Sequence, residues 1–171
     1  VYLSVSRDFD TWTDPRDCLV FHADWRDQEL GAQRVQKHIA SQDLRKPVYH
    51  NLEEYLTDIY NLPIFRYQGL YIGIPTVFNH SGNTEFTSDG FSMVELAVRR
   101  DLIHWERVGG RRKFIPHSEL EEGKNYDVAQ LLAGNQPIIK DGKIWFYYSG
   151  LKWRSHPSSL KEEQAPPLVD G

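Results

Sequence analysis

"LPIFRYQGLYIGI", residues 62–74, is the stretch on which the fold turns. A proline, two apolar residues and a basic residue lead to Gln68-Gly69, and an aromatic-rich run follows. Turn-forming residues between two such runs predict strand, tight turn, strand. The same plan returns as "QPIIKDGKIWFYY", residues 136–148, with Asp141-Gly142 as the turn. Asp-Gly between β-rich runs is a strong local hairpin signal.

A second unit alternates with these hairpins. "SRDFDTW" (6–12) and "VRRDLIHW" (98–105) each end a strand in a polar turn and a tryptophan, and Trp12 and Trp105 stand 93 residues apart. Asp8 and Asp101 read as turn residues whose carboxylates bond nearby backbone N–H groups. The tryptophans read as packing residues between layers. The order is Trp unit, Pro hairpin, Trp unit, Pro hairpin. One hairpin plus one Trp unit gives four antiparallel strands, the content of one propeller blade. The expected fold is therefore all-β, a β-propeller of four-stranded antiparallel blades. Residues 1–23 end one blade, 24–57 form a long polar connection, 58–117 make a complete blade, and 118–171 begin the next. A short helical piece is expected around "GAQRVQKHI" (31–39). A ring needs at least four blades and two are supplied here, so the chain is expected to be truncated at both ends.

Composition narrows the function classes. The 171 residues carry a net charge of −4 and only one short basic cluster, "GGRRK" (109–113), so no nucleic-acid partner is expected. No apolar run approaches the roughly 18 residues of a membrane span, and no membrane partner is expected. Cys18 is the single cysteine, which excludes a disulfide within the chain and a Cys-rich zinc site. His22, Asp24 and His38 match no metal-ligand spacing, so neither metal nor cofactor is expected. Five Trp and nine Tyr suit strands and also surfaces that stack on sugar rings. No signal peptide is visible; the sequence leaves localisation open, with a secreted or periplasmic protein compatible, and leaves the oligomeric state open.

As an ordered set these motifs resemble the five-bladed β-propeller glycoside hydrolases: the invertase and levanase family, and the arabinanase and β-xylosidase family. Ser6, Asp8 and Trp12 are similar to the Ser-x-Asp-x-x-x-Trp turn that closes the third strand of a blade there. Gly69-Leu70-Tyr71 and Gly142-Lys143-Ile144-Trp145 are similar to their second strands. Asp58-Ile59-Tyr60-Asn61-Leu62-Pro63, Tyr126-Asp127 and Tyr147-Tyr148-Ser149-Gly150 are similar to motifs of bacterial glycosyl-hydrolase-like proteins. The sialidase Asp box fits less well, because Trp12 is only four residues after Asp8 and Arg99 stands where its Ser belongs.

The resemblance implies an enzyme that cleaves O-glycosidic bonds of an oligosaccharide or glycoside. Such hydrolysis generally needs two carboxyl groups flanking the bond. Asp58 and Asp127 precede the two inner strands and are the expected catalytic pair. Tyr60, Asn61, Asn135, Trp153 and His156 are the expected substrate contacts, with amides for hydroxyls and rings for stacking. Each acid also has a plainer reading as a turn or capping residue, His156 as a solvated loop histidine, and Glu95 as the polar face of a strand. The families' acid-donor glutamate is replaced here by Asn61-Leu62-Pro63 and Asn135-Gln136-Pro137. That departure supports an alternative, a non-catalytic glycan-binding or interaction propeller.

Overall fold

The computed structural model describes residues 1–41, 47, 49–83, 87–119 and 125–152. An α-helix, α1 (Trp25–Ala40), and short 3-10 turns at Pro15–Asp17 and Leu52–Glu54 precede the strands. These are β1 (Leu56–Asn61), β2 (Ile64–Tyr67), β3 (Leu70–Gly73), β4 (Thr76–Asn83), β5 (Ser88–Val94), β6 (Ala97–Arg99), β7 (Glu106–Arg107), β8 (Gln130–Ala133), β9 (Ile138–Lys140), β10 (Lys143–Trp145) and β11 (Tyr148–Leu151). Among the described residues every pairing between them is antiparallel and no sheet is closed.

The 62–74 stretch forms the β2–β3 hairpin. Gln68 and Gly69 have φ of 47° and 80°, and Asp141 and Gly142 of the β9–β10 hairpin have 53° and 69°. Two successive left-handed residues make the turn whose twist matches paired strands. The sheet grows from β3 in the order β2-β3-β6-β7, with Phe65, Ile72, Val98 and Glu106 in one register row.

The two Trp turns are closed by the same bonds. Asp8 Oδ1 accepts from the N–H groups of Asp10 and Thr11 at 3.0 and 2.8 Å. Asp101 Oδ1 accepts from those of Ile103 and His104, both at 2.9 Å. Each indole N–H donates to the carbonyl three residues back, Phe9 at 3.2 Å and Leu102 at 3.1 Å. The environments of the two rings differ. Trp105 packs over Gly73 and meets Phe21 edge-on at 6.3 Å, whereas Trp12 is half exposed and touches Phe9.

A second sheet, β1-β4-β5, continues the first. β3 runs into β4 across Ile74-Pro75, and β5 into β6 across Glu95-Leu96, so one long hairpin bends at a single level. Below the bend its partners are β2 and β7, and above it β1. The Asp58–Asn61 segment, expected to lead into an inner strand, is itself a strand paired with β4, Asp58 opposite Phe78. β8 lies beside β5: Ser92 N–H donates to the Ala129 carbonyl at 3.3 Å, and the Ser92 hydroxyl bonds both Leu131 backbone groups. β11 pairs with β8. Phe65, Ile74, Val94, Leu131 and Ala133 form the core where these sheets meet, flanked by Ile72, Ile115 and Phe146.

α1 is longer than the expected helical piece. It starts at Trp25 because Asp24 and Asp27 form a reciprocal cap, each carboxylate accepting from the other's backbone N–H at 3.1 Å. Its buried face is Asp27, Gly31, Val35 and His38, spaced four, four and three residues apart but hardly apolar. Gly31 lets the helix approach β1, since a Cβ there would lie 1.7 Å from Thr57 Oγ1. The Gln28 side-chain amide bonds both backbone groups of Thr57, covering the free edge of β1.

Charge fastens helix to sheet. Arg107, from β7, places Nη1 at 3.0 Å from Asp27 and Nη2 at 2.5 Å from Glu95. Glu95 sits in the bend, fully buried, and also takes Arg34 at 3.1 Å. Its reading as an exposed polar strand residue is therefore overturned. Burial raises the Glu95 carboxyl, against the pull of Arg107 and Arg34. Arg111 clamps Asp24 through two bonds of 2.6 and 2.7 Å, which holds that carboxyl far below the usual range.

Removing one member of a buried ion network leaves its partners uncompensated, at a cost of about 3–5 kcal/mol. Arg107→Ala is predicted to lose stability of that size in urea denaturation. Gly31→Ala is predicted to cost about 1–3 kcal/mol by overpacking against Thr57; an unchanged midpoint would contradict the helix–sheet contact.

Candidate functional site

Directly paired residues share a sheet face, so Asp58, Phe78 and Ser92 project from one side of β1-β4-β5. Alternation adds Thr76 and His80 to that side. Thr57, Asn79 and Phe91 project from the other side, beneath α1, where the His38 ring stacks on Phe91 at 4.3 Å and 7°. The helix closes one face; on the other, Thr76, Phe78 and Ser92 are buried as well and Asp58, on the edge strand β1, is exposed.

Tyr60 owes its position to a bulge. Ile59 pairs with Val77 and Asn61 with Thr76, so Tyr60 is the extra residue, 61% exposed. It lines an open pocket of about 80 Å³ with Thr76, Phe78, Ser92, Gln130, Leu132 and Leu151. β8 and β11 supply the last three, which fall on one face of that pair because Gln130 is opposite Leu151 and Leu132 opposite Ser149. Asp58 stands on the same sheet face, with His80 Nε2 at 4.0 Å from its carboxylate. The His80 ring meets Phe78 edge-on at 4.2 Å.

The second expected acid lies elsewhere. Tyr148 donates its hydroxyl to Asp127 at 2.8 Å. Burial acts to raise the Asp127 carboxyl, but hydrogen bonds from Ser118 and Tyr148 outweigh it, and the group lies below its ordinary value. Asp127 packs on Gly150, where a Cβ would come within 2.5 Å of Asp127 Cβ. Tyr148 and Gly150 face away from Leu151 along β11, so Asp127 sits on the side of β8–β11 opposite the pocket lining. Neither Asp58 nor Asp127 is part of that lining.

Of the expected contacts, Tyr60 lines the pocket. Asn61 is the next residue along, and its Oδ1 is buried with no hydrogen-bond partner among the described residues. Buried amide oxygens are rarely left so. Asn135 is exposed between β8 and β9, and Trp153 and His156 lie outside the described residues. Sequence reasoning missed His80, Phe78, Ser92 and Gln130. The alternation in "TVFNHSGN" (76–83) puts Phe78 and His80 on one face, but only the β1–β4 register places that face beside Asp58. Among the described residues no three His, Cys, Asp or Glu side chains gather as metal ligands. What the face exposes is a carboxylate beside an imidazole and a phenol ring, while the Ser92 hydroxyl and the Gln130 amide behind them are buried and bonded to the Leu131 and Gly90 backbone. That set suits hydrogen bonding and stacking rather than redox chemistry.

His117 supports this face from the side. Its Nε2 lies 2.8 Å from the Ser92 carbonyl and its Nδ1 3.0 Å from Lys113 Nζ. Burial, helped by Lys113, lowers its pKa to about 4. Unfolded histidine titrates near 6.5. Below that pH the unfolded chain takes up a proton that the folded chain refuses, so stability falls from about pH 6.5 to about 4. Wild type is predicted to lose up to about 3 kcal/mol more across this window than His117→Gln. Equal losses in urea titrations at pH 7 and pH 4.5 would contradict it.

Comparison of the chain with known protein families, with curated proteins and with solved structures finds no match to any of the three.

Proposed function

We propose that this chain is a carbohydrate-active protein of the β-propeller glycoside hydrolase type, cleaving O-glycosidic bonds, with the Asp58 face as its saccharide surface. The observation that carries the reading is the gathering of Asp58, His80, Tyr60, Phe78, Ser92 and Gln130 on one side of the sheet, around a small pocket with exposed Asp58 and Tyr60 at its β1 edge. Sugars are held by this kind of mixture: ring faces for stacking, and amide, hydroxyl and carboxylate groups for the hydroxyls. Two features support the propeller frame of the resembling families. The β2-β3-β6-β7 sheet is a four-strand antiparallel meander of one blade's content. The segments that carry the other Trp turn and the other Pro hairpin pack on its two faces, through Phe21 against Trp105 and Phe146 against Phe65.

In this reading Asp58 is the carboxylate nearest the bound sugar, with the His80 imidazole beside it. Asn61, with its unpartnered amide oxygen, is a hydroxyl acceptor. Asp127, the other proposed acid, is engaged by Tyr148 and Ser118 and faces away from the pocket. That engagement favours a second reading, glycan binding without cleavage.

The test is turnover of aryl glycosides and binding of oligosaccharides by the full chain, alone and with Asp58→Asn and Asp127→Asn. Loss of a general acid or base costs about 10²- to 10⁴-fold in rate, so Asp58→Asn is predicted to lose at least 100-fold while still binding. Binding without cleavage selects the second reading. If the chain neither cleaves nor binds any saccharide, both are wrong.

A further inference from the structure

Among the described residues the β9–β10 hairpin is a two-stranded sheet, and Ile138, Ile139 and Trp145 are each about half exposed. A two-stranded hairpin is marginal in water, and an open apolar edge is a template for another strand. Its counterpart β2–β3 shows what such an edge takes. There β6 pairs with β3, Tyr71 opposite Arg99, Ile72 opposite Val98 and Gly73 opposite Ala97, and the Asp101 and Trp105 turn returns β7 alongside.

The chain holds a second unit like β6–turn–β7, and its edge is free. Residues 6–12 repeat that turn's two backbone bonds to the aspartate and its indole bond, and Val5 stands opposite Thr13 as Val98 stands opposite Glu106. Tyr2, Ser4 and Ser6 turn their backbone groups to the other edge, where no backbone hydrogen bond is made among the described residues. Tyr2 and Val5 are 56% and 52% exposed.

These two complementary edges cannot meet within one molecule. Phe21 carries the N-terminal unit onto the sheet face of Gly73, Trp105 and Arg107. Phe146 carries the hairpin onto the opposite face, that of Phe65 and Ile72. The β2-β3-β6-β7 sheet stands between them.

We propose that a second copy of this chain supplies the missing strand: residues 2–6 of one copy add to β10 of the next, antiparallel, and rebuild the four-stranded sheet across the junction. Transferring the β3–β6 register by the turn positions sets Ile144 opposite Ser6, Trp145 opposite Val5 and Phe146 opposite Ser4. Trp145 and Val5, both half exposed alone, then cover one another. Charge agrees. The N-terminal unit has Asp8, Asp10, Asp14 and Asp17 against Arg7 and Arg16, and the hairpin region has Lys140, Lys143 and Lys152 against Asp141. The contact is head-to-tail, so copies close a ring or extend a filament. It does not depend on the proposed activity.

Cross-linking tests the register. In a Cys18→Ser background, full chains carrying Val5→Cys are mixed with chains carrying Trp145→Cys under a mild thiol oxidant. The expected product is a disulfide-linked dimer that neither variant gives alone, with wild type sedimenting above monomer mass at 100 μM and Val5→Asp shifted to monomer. Val5→Asp is checked for native circular dichroism; if it is not folded, Trp145→Lys takes its place. A wild-type monomer, or no mixed dimer, would overturn the proposal. So would a link formed within single chains of the double variant, which would give the strand to the same molecule.

Discussion

Arg107 lies between two carboxylates, Asp27 of the helix and Glu95 of the sheet bend, all three buried or nearly so. An isolated charge in that place costs several kcal/mol, and the arrangement persists only because each charge meets another with good geometry. Three pieces of chain that have no reason to meet by apolar pattern alone are thereby fixed together: α1, the kink between β5 and β6, and β7. Arg34 and Arg111 extend the network to Asp24 and to the first helical turn. The kink is where the long hairpin changes partners, so the network sets the relation between the lower sheet and the β1-β4-β5 sheet above it. With α1 seated, Gly31 and Gln28 hold β1 against β4, and Asp58, Tyr60 and His80 are held on one face.

How much of this was legible in the sequence follows from distance along the chain. The hairpin turns and the Trp turns depend on groups two or three residues apart, and Gln68-Gly69, Asp141-Gly142, Asp8 and Asp101 announced them. The alternation of units announced the four-stranded meander. The helix was under-read because its buried face is Asp27, Gly31, Val35 and His38, which gives no apolar stripe. Its charges are satisfied by residues up to 87 positions away, as Asp24 is by Arg111. Glu95 was misread for the same reason: in an alternating strand a carboxylate looks like the wet face until its two arginines are known. At the candidate site, Asp58 and Tyr60 are singled out by the resemblance of the Asp58–Pro63 motif to a family motif. Their neighbours His80, Ser92 and Gln130 depend on register between strands, which no local pattern specifies.

The fold and the proposed chemistry are linked through asymmetry. α1 covers one face of the upper sheet with a histidine stacked on Phe91; on the other face Thr76, Phe78 and Ser92 are buried and the carboxylate of Asp58 and the phenol of Tyr60, both on the edge strand β1, reach solvent. β8 and β11 wall that face on one side, stitched to β5 by the Ser92 hydroxyl. The same β8–β11 pair holds Asp127 on its reverse. The reading as hydrolase or as binding protein thus turns on whether the sugar chemistry needs Asp127 at all.

The central claim is that buried charge pairing, more than apolar contact, seats the helix and orders the upper sheet. Amide hydrogen exchange of Arg107→Ala against wild type tests it most directly. The account predicts that α1, β1 and β4 lose protection while the β2–β3 hairpin keeps most of its own. Equal loss everywhere, or unchanged protection in α1 and β1, would contradict it.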